Sequence, residues 1–342
     1  MKKWEGYGHG VNLGGWLSQC DHTKDRYDGF IKEADIARLG SWGLDHLRLP
    51  VDYNLVEDDQ GGYLEEGFSY IDKALDWCGK NGLNLILDLH KTCGFSFDEG
   101  HHESGFFESE DLQERFYRLW EEFAGRYGSA GDRIAFELLN EVTDKKYCDT
   151  WNRISTRCIE RIRAKAPDVK ILIGGYYNNS IEALPDLLPP FDENIVYNFH
   201  CYEPLIFTHQ GAYWAPGMKT DFRISIDEPY RVLSEMSDKY LSQVTVGFEG
   251  FDKDERLGEA FFEKLFSEAV AVAEQRDVAL YCGEYGVINL AEPADTLEWY
   301  RMIGSTFNKF GIGRAAWSYR EMDFGLVDPH MSGVLEEVLR YI

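Results

Sequence analysis

Residues 136–142 read FELLNEV: the segment has the look of a buried strand, yet it finishes in an amide, Asn140, beside a carboxylate, Glu141. A strand apolar on both faces belongs to a parallel sheet covered by helices, and its polar terminus is then the end that meets solvent. In such folds chemistry is placed at the C-terminal ends of the strands. A glutamate after a strand is more commonly a solvated residue opening a loop, so the reading turns on whether other strands end the same way.

They do. DHLRLP (45–50) carries Arg48, NLILDLH (84–90) ends at His90, and NIVYNFHCY (194–202) ends at His200 and Tyr202. VALYCGE (278–284) ends at Glu284, and RAAWSY (314–319) carries Trp317. Strand-like runs are expected to begin near residues 10, 45, 84, 133, 170, 194, 278 and 312. Most of the gaps hold helical patterns. In 65–82, Phe68, Ile71, Leu75 and Cys78 recur at three- and four-residue spacing before Gly79 and Gly82; in 111–128, Leu112, Phe116, Leu119, Phe123 and Tyr127 do the same. From Trp151 to Ala166, Ile154, Cys158 and Ile162 share a face, and Pro167 then stops the helix. Alternation of strand and helix through eight units predicts a single α/β domain over residues 1–342, a (β/α)8 barrel. One connection is too long for a crossover helix. Residues 203–258, rich in Pro, Gly and aromatics, follow a strand's C-terminal end and are expected to form an insertion subdomain over the mouth of the barrel.

Bulk properties bound the partners. The 342-residue chain is 44% hydrophobic and 15% aromatic, enough for a core and for flat stacking surfaces. Its net charge of −25 argues against nucleic acid and anionic membranes as partners, and for a neutral ligand. Seven cysteines, with no C-x-x-C pair and no zinc-like spacing, read as free thiols in a reducing compartment. MKKWEGYGHG lacks the apolar stretch of a signal peptide, and no run reaches membrane-spanning length, so a cytoplasmic location is expected, or a secreted one for a chain trimmed of its leader. No obligate protein partner is implied.

Two carboxylates, Glu141 and Glu284, on strand ends of one barrel face are what glycosidic-bond hydrolysis requires: one protonates the departing oxygen, the other attacks or stabilises the sugar's developing positive charge. A separation of ~5 Å gives a covalent intermediate and retention, and ~6.5 to 9.5 Å admits a water and gives inversion; sequence leaves both open. Arg48, if it lies beside Glu284, would hold that group anionic and leave Glu141 as the one that keeps its proton. Activity should then trace a bell against pH, falling on the alkaline side as Glu141 loses its proton and on the acid side as Glu284 gains one. Trp317 offers an apolar face to sugar C–H bonds, and Asn140, His90, His200 and Tyr202 offer hydrogen bonds to hydroxyls.

These motifs, FELLNE, LDLH, RLP, FHCY, CGEYG and the Trp of AAWSY, resemble those of glycoside hydrolase family 5, over about residues 10–330. The resemblance implies that Glu141 is the acid/base and Glu284 the nucleophile of a retaining hydrolase that needs no metal or cofactor. It implies that Arg48 and Tyr202 support Glu284, that Asn140 contacts the sugar 2-hydroxyl, and that His90 and His200 line the subsite before the cleaved bond with Trp317 as its floor. It also implies β-1,4-glucans, mixed-linkage ones included, as substrates cleaved internally. Many members of the family carry two histidines where this chain has His90 and Lys91, which puts the glycone preference in question. Trp214, in the insertion, is a further candidate stacking platform.

Other features have simpler explanations. His101 and His102 lack the H-E-x-x-H spacing of a zincin and read as a solvated loop. His209 reads equally as a structural or a substrate-facing histidine, and Cys201 and Cys282 as packing residues. No G-x-G-x-x-G, P-loop or G-x-S-x-G is present. The competing functions are an exo-acting β-glucosidase or a β-mannanase working on imported oligosaccharides, which keep the same chemistry, and a non-catalytic sugar-binding barrel, which would be expected to have lost a carboxylate.

Overall fold

Eight parallel strands close on themselves in chain order, each hydrogen-bonded to the next and β8 to β1. The computed structural model describes residues 1–98, 103–241 and 247–342. The strands are β1 (His9–Asn12), β2 (His46–Asp52), β3 (Asn84–Lys91), β4 (Ile134–Glu137), β5 (Lys170–Ile173), β6 (Ile195–His200), β7 (Ala279–Tyr285) and β8 (Gly313–Ala316). Every start lies beside its predicted position. The (β/α)8 barrel is therefore the fold.

Helices pack outside through the apolar stripes read from sequence, with small corrections. Helix Glu65–Lys80 buries Phe68, Ile71 and Cys78 but turns Ala74, not Leu75, fully inward. Helix Glu110–Tyr127 buries Phe116, Leu119, Trp120, Phe123 and Tyr127. Its N-terminus is capped by Ser109, whose hydroxyl accepts from the Leu112 amide; such a cap contributes about 1 kcal/mol. The third helix runs Cys148–Arg163 and ends ahead of Ala166, because the residue before Pro167 is pushed out of helical geometry. The alternation also fails once: the β5–β6 crossover holds only short turns at Tyr176–Asn179 and Ile181–Asp186, since Pro185, Pro189 and Pro190 interrupt any helix there.

The long connection after β6 contains a single turn, Leu205–Thr208, and a helix, Tyr230–Tyr240, before the crossover helix Glu259–Arg276. Its base is pinned to the barrel. Trp299 Nε1 donates to the Glu203 carbonyl (3.0 Å), the Ile288 amide to the Thr208 carbonyl (3.0 Å), and the Ile226 amide to Asp295 (3.1 Å). Tyr230, Phe248, Phe251 and Phe261 form its aromatic core. No helix among the described residues is long and apolar enough to cross a membrane.

The barrel interior has two layers of different chemistry. Near the N-terminal end Ile86, Ala135, Leu172, Val196, Ala279, Tyr281 and Ala315 pack together and are closed by Tyr7, on which Trp4 stacks at 4.1 Å. Above them sit Asn12, Arg48, Asp88, Glu137 and Asn198, none with measurable exposure. A charged layer inside a barrel is tolerable only when every partner is supplied. Arg48 supplies most of them.

Candidate active site

Arg48 lies mid-strand on β2 rather than at its end, and from there its guanidinium reaches across the barrel. Nε and Nη2 grip both oxygens of Glu137 at 2.7 and 2.8 Å; Nη2 also reaches Asn140 Oδ1 (2.7 Å) and Asp88 (3.1 Å). Nη1 donates to Asn12 Oδ1 and to Glu284 Oε1, each at 2.9 Å. Asn198 completes Glu137 with a bond of 2.7 Å and accepts from the Gly283 amide at 2.9 Å. Removing one member of such a buried set strands the others' charges, at a cost of ~3–5 kcal/mol. The network thus orients Glu284 and Asn140 from beneath with little freedom to move.

Sequence reading missed Glu137, Asp88, Asn12 and Asn198. The signal is faint: Asp88 and Asn198 are polar residues within largely apolar strands that also carry His90 and His200, Glu137 and Asn12 are the last residues of β4 and β1, and only barrel closure shows that all four face the interior. The strand containing FELLNEV also stops earlier than expected. β4 ends at Glu137, and the chain then bends at Leu138 and Asn140, with the Asn140 amide bonded to the Leu89 carbonyl at 3.2 Å.

Glu284 accepts from Arg48 on one oxygen and from the Tyr202 hydroxyl on the other (2.9 Å), donors that suit a carboxylate. Glu141 is set differently. Burial pushes its carboxyl up to about 7, against the opposing hydrogen bond from Asn178 Nδ2 to Oε2 at 2.7 Å. Its Oε1 lies 2.7 Å from His200 Nδ1. His200 is kept neutral by burial, its ring pulled down to about 4, and Asn179 Nδ2 faces its Nε2 at 3.4 Å. The proton therefore sits on Nδ1, which donates to Glu141. Oxygens of Glu141 and Glu284 and a nitrogen of His200 lie within 4.8 Å of one another.

Around this pair the other predicted residues fall into place unevenly. Asn140 accepts from Arg48 on Oδ1, and its Nδ2 is buried and without a partner among the described residues. Trp317 is mostly buried, its ring parallel to that of His90 at 5.8 Å. A Cβ on Gly14 would stand 2.7 Å from the indole, so only glycine admits this ring position. His90 is hydrogen-bonded to Asp88 (2.6 Å) and faces Gln19 (3.3 Å). Lys91, the departure from the family pattern, is paired with Asp98 at 2.6 Å and lies 3.8 Å from Asp52. Trp214 is 38% exposed and sits farther out, reached from Tyr202 through His209 by ring contacts of 5.1 and 6.2 Å. His209 packs among Tyr202, Trp214 and Phe324. Cys201 and Cys282 are fully buried free thiols whose ionisation is strongly opposed by burial, as packing residues should be. His101 and His102 lie outside the described residues.

The family model for "Cellulase (glycosyl hydrolase family 5)" matches residues 5–323. The chain belongs to that family. Among curated proteins it is similar to Cellodextrinase A of Ruminococcus flavefaciens, at 48% identity over 314 residues, 92% of this chain and 86% of the relative. Endoglucanase C of Acetivibrio thermocellus is 35% identical over 340 residues, 97% of each chain. Among solved structures, Thermotoga maritima Cel5A in complex with cellobiose has the same fold, with a TM-score of 0.77 at 22% identity over 99% of this chain and 100% of that one. The family resemblance read from FELLNE, FHCY and CGEYG is thereby shown.

The geometry carries a pH prediction. An acid that must donate a proton works only while it holds one, and burial places the Glu141 carboxyl at about 7. The alkaline limb of kcat/KM for an unactivated glycoside should therefore begin near that pH and fall about tenfold per unit above it, with one ionisation. A pH–rate profile flat from 6 to 9 would contradict the assignment.

Proposed function

We propose that the protein is a retaining endo-β-1,4-glucanase that hydrolyses β-glucan chains by double displacement, with Glu284 as nucleophile and Glu141 as acid/base. The observation that carries it is the approach of the two carboxylates. Oxygens within 4.8 Å of each other agree with the close-set class, at about 5 to 5.5 Å between carboxyl groups, rather than with the wider pair of an inverting enzyme. Glu284 attacks the anomeric carbon while Glu141 gives its proton to the leaving oxygen. Glu141, then ionised, takes a proton from the water that breaks the glycosyl–enzyme bond. Arg48 and Tyr202 hold Glu284 in line, Asn140 Nδ2 binds the neighbouring hydroxyl, and Trp317 with His90 forms the platform under the glycone.

The names of the relatives support the substrate class: an endoglucanase and a cellodextrinase both point to β-1,4-linked glucose, and to soluble cello-oligosaccharides as well as polymer. Segment 203–258, pinned beside Tyr202 and Ile288, forms one wall of the cleft, with Trp214 as an outer stacking surface. The test is product analysis by chromatography on mixed-linkage β-glucan, cellodextrins and mannan, with and without a strong chelator. Early release of several medium-length glucan fragments, at rates the chelator leaves unchanged, is expected. Release of glucose alone, or activity confined to mannan, would overturn the endo-β-1,4-glucanase assignment.

A further inference from the structure

We infer that Asn178 is a positioning residue for the acid: its carboxamide, held in place by a left-handed backbone run, fixes the Glu141 carboxyl in the orientation that delivers the proton to the leaving-group oxygen. The segment GGYYNN (174–179) follows β5, and Tyr177, Asn178 and Asn179 have φ of 50°, 57° and 55°. Single asparagines visit this region readily, but three successive residues, one a bulky tyrosine, hold there only when the surroundings enforce it. The surroundings do so from both sides. The Asn178 amide donates to the Val142 carbonyl (3.0 Å), one residue beyond the acid, and Asn179 bonds the Asn140 carbonyl. A Cβ on Gly174 would stand 2.1 Å from Asn179 Oδ1, so glycine there makes room for that side chain.

The strained run delivers two consecutive side chains to the acid. Asn179 is buried and sets the tautomer of His200, which donates to Glu141 Oε1; Asn178 is exposed at the cleft and donates to Oε2. With one donor on each oxygen the plane of the carboxyl is fixed, and the position still open on one oxygen carries the acid proton that passes to the leaving-group oxygen, leaving Glu141 as the carboxylate that later takes a proton from water. A loop asparagine with a purely structural role would spend its amide on backbone. The only partner of the Asn178 side chain among the described residues is Glu141. The other charged and titratable groups facing Glu141 are His200 and Tyr202 at the end of β6, Glu284 on β7, Arg48 on β2, Asp88 and His90 on β3, and Asp98 beyond it. None of them touches Oε2 as Asn178 does.

The inference rests on Glu141 being the acid, so the experiment separates the two. Asn178→Gly and Asn178→Asp both tolerate the left-handed backbone while removing the amide donor. Their kcat/KM is measured across pH on cellotetraose, whose leaving group needs protonation, and on dinitrophenyl cellobioside, whose leaving group does not, with Glu141→Gln as the reference. The expected result is a loss on cellotetraose about tenfold larger than on the aryl glycoside, a fraction of the 10²–10⁴ that a general acid contributes. The alkaline limb should also move to higher pH, further in Asn178→Asp, because a donor to the ionised carboxylate is replaced by nothing or by a like charge. Equal losses on both substrates with an unmoved alkaline limb would overturn the role of Asn178. If Glu141→Gln itself showed no dependence on leaving group, the assignment of the acid would fall instead.

Discussion

Glu284→Ala should abolish turnover of unactivated glucan, by a factor on the order of 10⁶, the scale of losing a covalent nucleophile and equal to about 8 kcal/mol in the barrier. The variant should lose stability, up to the ~3–5 kcal/mol scale of a broken buried pair, yet keep its fold, since Arg48 retains its two bonds to Glu137 and its contacts with Asn12, Asn140 and Asp88. Circular dichroism and thermal unfolding would check that. The loss should also be partly reversible. Azide is small enough to enter the space left by the carboxylate, and with dinitrophenyl cellobioside it would attack the anomeric carbon from the face Glu284 had used. One inversion then gives the α-glycosyl azide, with dinitrophenolate leaving. Substantial activity of the variant on cellotetraose without added nucleophile would remove Glu284 from its role.

Glu141→Gln separates the two halves of the reaction. The amide keeps the shape of the side chain but can neither give nor take the proton, so kcat/KM on cellotetraose should drop about 10²–10⁴-fold. Formation of the glycosyl–enzyme from dinitrophenyl cellobioside should persist, because that leaving group departs as a stable anion. Its hydrolysis should slow, since no base remains to activate water, and a burst of dinitrophenolate followed by a slow steady state is expected in rapid mixing. The alkaline limb near 7 should disappear with the carboxyl that produced it. Equal loss on both substrates with no burst would contradict the assignment.

Why FELLNEV could be read so far is visible in the barrel. Strand starts and helix stripes are local consequences of periodicity, and the groups at or beyond the strand ends, His90, Glu141, His200, Glu284 and Trp317, stand together because parallel strands all open on one face. Arg48 stands out as the one charge within the run HLRLP, although its position inside β2 makes it a girder of the interior as much as a wall of the site. Glu137, Asp88, Asn12 and Asn198 were passed over because a polar residue within or at the end of a largely apolar strand is indistinguishable by composition from a solvent-facing one. Only closure of the sheet turns these positions inward. Asn178 was out of reach for a different reason: its contact with Glu141 spans 37 positions and depends on three left-handed residues that no periodicity encodes. The missing β5–β6 helix, by contrast, was announced by Pro185, Pro189 and Pro190.

The central claim is that Glu141 and Glu284 stand close enough for direct attack by the second while the first protonates the leaving oxygen. Proton NMR of cellotetraose hydrolysis, recorded in the first minutes before mutarotation mixes the anomers, reads this directly. Two inversions leave the new reducing end as the β-anomer, which is the predicted first product; initial release of the α-anomer would mean a single displacement by water and would contradict it.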